Sequence, residues 1–403
     1  MTPPTAQTQR PIEAVTGNQA VAYAMKQINP DVVAAYPITP QTDVVQNFAE
    51  YVADGVVKAN FVTVESEHSA MSACIGSASS GARTMTATSS AGFALMWEMV
   101  YIAASMRAPI VMTTVNRALS GPINIHCDHS DTMGGRDAGW VQIYNEDAQE
   151  AYDATIMGFP IAEHPDVRLP LMNMYDGFII SGAIGPLQSL TDEEVQQFVG
   201  QAPGYPSLLD FDNHVTFGPF DGLHGWYFEH KVNQQRAMDN ALAVIQDVYD
   251  RFAALSGRRY QHLMQYRMED ADIAIVVIGS AAGNARSVAD KLRAEGVKAG
   301  VIKVRTFRPF PAAQYAKALA GVKAVGIMDR ADSFGAAGGP LYMDVTSALY
   351  QQGVYTKAAN FIYGLGGRDI FPHNIEEAFR VLQKAAEGGD LPKSRVYLNM
   401  KGA

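Results

Sequence analysis

The chain has 403 residues, room for two or three domains at roughly 100–200 residues each. It is 48% hydrophobic and 18% charged, with a formal net charge of −10, and it lacks the basic excess or stripe of a nucleic-acid binder. Its two cysteines, Cys74 and Cys127, lie outside any CxxC spacing. They cannot supply four thiolates to an iron–sulfur cluster or build a disulfide framework, and they fit a reducing cytoplasm.

Residues 1–11 are polar and proline-containing. They are expected to be disordered, and they lack the apolar core of a signal peptide. From Gly17, apolar residues at Ala20, Val21, Ala24, Met25 and Ile28 predict a helix that ends at Asn29-Pro30. DVVAAYPITP then reads as a short strand running into a double-proline turn, followed by a helix over about 41–54. The alternation repeats: a strand at 61–64, a helix from about Ser66 to Ser80, the strand ARTMTATSS, the helix AGFALMWEMVYIAASM and the strand APIVMTTVNR. Alternating strands and helices predict an α/β fold with a parallel sheet, whose chemistry sits at the carboxyl ends of the strands. The apolar run 91–106 is shorter than the roughly 20 residues of a membrane span and contains Glu98, so it reads as a helix buried at a domain or subunit interface.

Residues 118–150 read as a polar loop. A helix over about 148–163 and the strand RLPLMNMYDGF follow. Residues 180–265 carry many aromatics and glycines without a clear period, up to a helix at about 229–254. A second α/β unit starts near Asp270 with the strand ADIAIVVIGS, and FIYGLGG closes its sheet. The expected domains are therefore 12–265 and 270–403.

Four local features carry chemistry. In Tyr36-Pro37-Ile38-Thr39-Pro40 two prolines fix the backbone and remove two donors, which leaves a rigid loop that can aim the Thr39 hydroxyl into a crevice. An ordinary strand-to-helix turn accounts for it equally well. Glu67 opens a helix in which Ala70, Ala73 and Gly76 repeat every third position; this makes a thin face behind a carboxylate favoured by the helix dipole, or simply a packing stripe. Arg117, at the end of a strand, can grip a carboxylate with two parallel hydrogen bonds, or can form a surface salt bridge. His126, Asp128, His129 and Asp131 are ligand-type residues, but their spacing fits neither a helical HxxxH nor a zinc finger, so a polar active-site loop is the better reading.

In order along the chain, TGNQAVAYA, YPITP (36–40), ESEHSAMSACIG (65–76), ATSSAGFALMWEM (87–99), NRALSGP (116–122), DHSDTMGGRDAGW (128–140), DGF (176–178) and FRPFP (307–311) resemble the alpha subunit of the multi-subunit pyruvate:ferredoxin oxidoreductases. The resemblance covers nearly the whole chain. It implies a pyrimidine-side thiamine-diphosphate domain followed by a transketolase C-terminal-like domain. It implies that Glu67 hydrogen-bonds N1′ of the cofactor's aminopyrimidine, that Thr39 and Arg117 bind the substrate's keto or carboxylate group, and that Pro37 and Ile38 wall the cofactor. Arg117 thus also borders the cofactor. Glu65 is not the acid by the same match. The implied reaction is oxidative decarboxylation of pyruvate or a related 2-oxoacid to acyl-coenzyme A and CO2, with electrons leaving for iron–sulfur clusters and ferredoxin.

Thiamine enzymes typically hold Mg2+ and the diphosphate with a GDG sequence, and this chain has none; Asp176-Gly177 and Asp221-Gly222 follow Tyr and Phe. The resemblance therefore implies a beta subunit for the diphosphate and Mg2+, and [4Fe-4S] clusters on beta and on a ferredoxin-like delta subunit, with a gamma subunit completing a cytoplasmic complex. A branched-chain, aryl or dicarboxylic 2-oxoacid, a non-catalytic docking subunit and a metal-dependent hydrolase are the alternatives.

Overall fold

A computed structural model describes residues 10–204 and 206–402. The first half runs β1 (Glu13–Thr16), α1 (Gly17–Ile28), β2 (Val32–Ala35), α2 (Thr42–Ala53), β3 (Asn60–Thr63), α3 (Glu67–Ser79), β4 (Thr84–Thr88), α4 (Ser90–Leu95), α5 (Trp97–Ser105), β5 (Val111–Asn116), α6 (Ser130–Gly134), β6 (Val141–Tyr144), α7 (Ala148–Ala162), β7 (Leu171–Asp176), β8 (Ile184–Leu187), α8 (Asp192–Val199) and α9 (Tyr227–Ser256). The second half runs β9 (Leu263–Tyr266), β10 (Ile273–Ile278), α10 (Ala281–Ala294), β11 (Ala299–Val304), β12 (Thr306–Arg308), α11 (Ala312–Leu319), β13 (Ala324–Asp329), α12 (Pro340–Gln351), β14 (Lys357–Ile362), α13 (Pro372–Ala386) and β15 (Val396–Tyr397).

Helix α1 forms where the apolar spacing puts it. Thr16 and Gln19 close a capping box at its start, and Asn29 turns left-handed at its end. Its predicted apolar face is buried against α2 and α7. Helix α3 starts at Ser66, whose side chain accepts from the Ser69 amide and leaves Glu67 as the first helical residue.

Seven strands form the first sheet, in the order β12-β6-β7-β5-β4-β2-β3. All pair in parallel except β12, which runs antiparallel to β6. The chain leaves β2 toward β3 on one side, then returns through α3 to β4 on the other. This reversal opens a crevice between the carboxyl ends of β2 and β4, where open α/β sheets take their ligands. The second sheet has the order β15-β14-β13-β10-β11-β9, with β9 antiparallel to β11.

Several expectations need correction. The stretch 118–150 holds both α6 and β6, because VQIY is a short, fully buried strand between polar loops. The helix expected over 91–106 breaks at Met96 into α4 and α5, with Val100, Ala103 and Ala104 buried within the chain and Leu95, Trp97 and Tyr101 on its outer face. FIYGLGG does not close the second sheet; β15 pairs outside it. Strand β9 belongs to the second sheet although it precedes Asp270, and β12 reaches back into the first. Of residues 1–11, positions 1–9 lie outside the described residues, and Arg10 is held by two hydrogen bonds to the Glu194 carboxylate, 2.6 and 2.7 Å. No described helix is long and apolar enough to cross a membrane.

The halves are joined by buried charge. Glu150 of α7 meets Lys303 and, at 3.0 Å, Arg305. Burial alone would raise the Glu150 carboxyl, but the two cations hold it below its ordinary range. Asp176, at the end of β7, accepts from His129 Nε2 (2.7 Å), Arg330 Nη1 (2.8 Å) and the Ser280 amide (3.1 Å). Burial again opposes ionisation, and Arg330 and His129 again outweigh it, so Asp176 stays far below the usual carboxylate range.

Candidate active site

The YPITP loop leaves the end of β2 and is tied down from beneath. The Asn18 side chain donates to the Pro40 carbonyl (2.7 Å), and the Tyr175 hydroxyl donates to Asn18 (2.9 Å). The Ile38 amide donates to the Gln41 side chain at 3.1 Å, and Gln41 in turn donates to the Ala87 carbonyl of β4 at 3.1 Å. Pro37 and Thr39 are exposed and Ile38 is half-buried. A Cβ at Gly177 would stand 2.8 Å from the Pro40 ring and 2.5 Å from the Asn116 carbonyl, so the DGF segment packs directly beneath this loop.

Arg117 follows the end of β5. It is 6% exposed and makes no ion pair with a described residue, so it is not a surface salt bridge. Its Nη1 donates to the Thr39 carbonyl (2.9 Å) and its Nε to the Asn124 carbonyl (3.3 Å). Thr39 and Arg117 are thus brought together, through the threonine backbone. The threonine hydroxyl and Arg117 Nη2 have no hydrogen bond among the described residues.

Glu67 is 5% exposed, and its carboxylate has no hydrogen bond or ion pair among the described residues. Its close neighbour is the turn from β4 into α4. A Cβ at Gly92 would come within 2.4 Å of Glu67 Oε1 and 2.6 Å of the Thr88 hydroxyl. That hydroxyl is itself buried without a partner. The fully buried, unbonded Thr88 hydroxyl and the unbonded Glu67 carboxylate beside it leave hydrogen-bonding capacity that a ligand can complete.

Of the repeat Ala70, Ala73, Gly76, the first is buried, the second half-buried and the third exposed, so within this chain no element packs along the whole stripe. Helix α3 buries Ala70, Met71, Cys74 and Ile75, whereas Gly76 has nothing within 4 Å of a Cβ placed on it. Close approach to Glu67 comes from Gly92, on a different element. The sequence signal for it lies in SSAGF, a glycine in the first turn after a buried strand.

The His126–Asp131 side chains turn to different partners. His126 is exposed and bonds Asn124 (3.1 Å); Asp128 takes Ser130 and the Gly366 amide; His129 takes Asp176. Among the described residues, the nearest approach to a metal set is Cys127, His129 and Asp176, whose ligand atoms lie within 4.8 Å of one another. Arg330 already occupies the Asp176 carboxylate, and burial pushes the Cys127 thiol well above its ordinary value. A second cation has no place there.

Residues 23–250 match the family described as pyruvate flavodoxin/ferredoxin oxidoreductase, thiamine diP-bdg. The chain belongs to this family. Residues 271–375 match the pyruvate:ferredoxin oxidoreductase core domain II. Among similar proteins, pyruvate synthase subunit PorA of Thermotoga maritima is 53% identical over 96% of this chain and 98% of its own length. PorA of Methanocaldococcus jannaschii is 43% identical over 94% and 97%. Ketoisovalerate oxidoreductase subunit VorA of Pyrococcus abyssi is 38% identical over 97% and 99%. A 2-oxoglutarate:ferredoxin oxidoreductase from Magnetococcus marinus shares the fold with a TM-score of 0.69 at 21% identity, over 94% of this chain and 66% of that one. A split-gene transketolase shares it with a TM-score of 0.55 at 14% identity, over 93% and 99%. The chain is an oxidoreductase of the thiamine-diphosphate α/β type, as the motifs imply.

Proposed function

We propose that this chain is the alpha subunit of a pyruvate:ferredoxin oxidoreductase. It contributes the pyrimidine side of the thiamine-diphosphate site to an enzyme that converts pyruvate and coenzyme A to acetyl-coenzyme A and CO2. Two electrons leave through [4Fe-4S] clusters on partner subunits to ferredoxin. The observation that carries this is the buried, unbonded Glu67 carboxylate beside Gly92 and the unbonded Thr88 hydroxyl. A ring bearing donors fits that arrangement: Gly92 lets the turn from β4 press against the carboxylate from one side, and neither Glu67 oxygen has a partner among the described residues. When bound, thiamine diphosphate supplies the carbanion stabilisation that decarboxylation needs, while the protein supplies binding and orientation.

This chain's residues divide the remaining work. Glu67 holds a proton at the ring nitrogen it meets. Arg117, anchored by Nη1 to the Thr39 carbonyl, presents Nη2 to the substrate carboxylate, and the exposed Thr39 hydroxyl reaches the keto oxygen. Pro37 and Ile38 wall the same crevice. With no GDG sequence, the diphosphate and Mg2+ fall to a beta subunit. Gamma and delta subunits complete a cytoplasmic complex. The working division of the chain is 12–265 for the cofactor half-site and 270–403 for the transketolase C-terminal-like unit, with β9 at the end of the first segment already joining the second sheet. Pyruvate is favoured as the substrate because the pyruvate synthase subunits of Thermotoga maritima and Methanocaldococcus jannaschii are 53% and 43% identical to this chain.

The test is Glu67→Gln in the co-purified complex, assayed by pyruvate- and coenzyme-A-dependent dye reduction. A positioned proton-transfer group is worth ~100-fold or more, so turnover should fall at least that far with the clusters and assembly intact. Turnover near that of the unaltered enzyme would overturn the assignment. Assays with 2-oxoisovalerate in parallel decide the substrate.

A further inference from the structure

Asp131 lies in the first turn of α6 and is 1% exposed. Its carboxylate gathers four N–H groups. Oδ2 accepts from the amides of Ser90 and Arg117, both at 3.0 Å. Oδ1 accepts from Asn116 Nδ2 and the Thr132 amide, both at 2.8 Å. Only the Thr132 bond serves Asp131's own short helix, so a helix cap explains one contact in four. The other three reach the two strand ends that carry the site.

Each of those ends needs holding. Ser90 sits at φ +44°, a conformation that non-glycine residues rarely adopt. Its hydroxyl donates to the Ala118 carbonyl at 2.5 Å, and its amide is fixed by Asp131. That turn delivers Gly92 against Glu67. The Arg117 amide, fixed by the same oxygen, is the root of the guanidinium that reaches Thr39. One carboxylate oxygen therefore sets the backbone of the arginine against the backbone of the turn beside the glutamate.

We propose that Asp131 is a positioning residue for 2-oxoacid binding, holding Arg117 in register with the Ser90–Gly92 turn. This rests on the reading of Arg117 as the substrate's carboxylate clamp. Asparagine at 131 would be nearly isosteric, but its NH2 group would face N–H donors, so at least one strand end loses its acceptor.

The experiment measures KM for pyruvate, KM for coenzyme A and kcat in the assembled complex, for Arg117→Ala, Asp131→Asn and the double variant. Arg117→Ala alone tests the clamp: KM for pyruvate should rise ~10-fold or more, and an unchanged value sinks the clamp together with the inference built on it. If the clamp stands, Asp131→Asn should raise KM for pyruvate ~10-fold while leaving KM for coenzyme A unchanged, and should add less than about twofold in the Arg117→Ala background, since residues acting as one unit are not additive. An equal effect in both backgrounds, or none in either, overturns the role of Asp131 while leaving Arg117 untouched. If Asp131→Asn does not assemble, Asn116→Ala carries the test. It removes one donor and keeps the carboxylate, and its rise in KM, about threefold, must likewise disappear when Arg117 is absent.

Discussion

The seam between the two halves and the half-site beside it handle buried charge in opposite ways. At the seam, the Asp176 oxygens are taken up by His129, Arg330 and Ser280. At the half-site, Glu67 is almost as deeply buried and has no bond to any described residue, and Arg117 leaves one nitrogen unbonded. The sheet is the same and the strand ends are neighbours, so burial does not separate the two. Satisfaction does. The saturated Asp176 cluster holds structure together, and the Glu67 half-site is left open to a ligand. The contrast is between these two carboxylates, since the seam's Arg305 guanidinium is also buried without a hydrogen bond and is held by charge, against Glu150.

The strongest way to break this contrast is to unsaturate the seam. Asp176→Asn would remove the carboxylate that pairs with the buried Arg330 guanidinium, and breaking one partner of a buried pair costs about 3–5 kcal/mol. Chemical denaturation of the assembled complex should register that loss, or the variant should fail to accumulate. Glu67→Gln should cost far less stability, because no bond within the chain is lost. Comparable stability losses in the two variants would erase the distinction.

Gly92 sharpens the other side. A methyl group there would overlap Glu67 Oε1 and the Thr88 hydroxyl, so Gly92→Ala must displace the carboxylate by a sizeable fraction of an ångström. Small misplacements at a reacting centre cost rate rather than stability, so turnover should drop between ~10- and ~100-fold with little change in thermal midpoint. Unaltered turnover would mean that the carboxylate has freedom to relocate and that the tight approach is incidental.

The contrast also marks what the sequence could disclose. Helix α1, the strands around it and the α/β class follow from apolar spacing, because burial of one face is written in the period of the residues. YPITP, Glu67 and Arg117 stand out because proline geometry and a lone charge at an element end are local properties. Asp131 and Asp176 do not. Their roles depend on donors brought from Ser90, Asn116, Ser280 and Arg330, which only the folded chain assembles. Both aspartates fall in motifs that carry the resemblance, DHSDTMGGRDAGW and DGF, but neither motif says what the aspartate holds. Strand β12 is hidden for the same reason: nothing in TFR says that it will leave one sheet for the other.

The smallest effect separates the two aspartates by pH. Burial raises the Asp131 carboxyl to about 6 despite its four N–H partners, since none carries a full charge. Its protonated form is therefore favoured by folding: the stabilisation is complete below the ordinary carboxylate value near 3.8 and is lost as pH rises through about 6. Asp176 runs the other way. Its contribution is present above 3.8 and is lost only as pH falls through its much lower folded value, so it is constant from pH 4.5 to 7. Over that window the stability difference between the unaltered complex and Asp131→Asn should shrink with rising pH, by at most about 1.4 kcal/mol per pH unit for a single proton. Asp147 and Asp329, also raised by burial, titrate in both proteins and cancel in the difference. A difference that stays flat would mean that four dipoles hold Asp131 as firmly ionised as one arginine and one histidine hold Asp176.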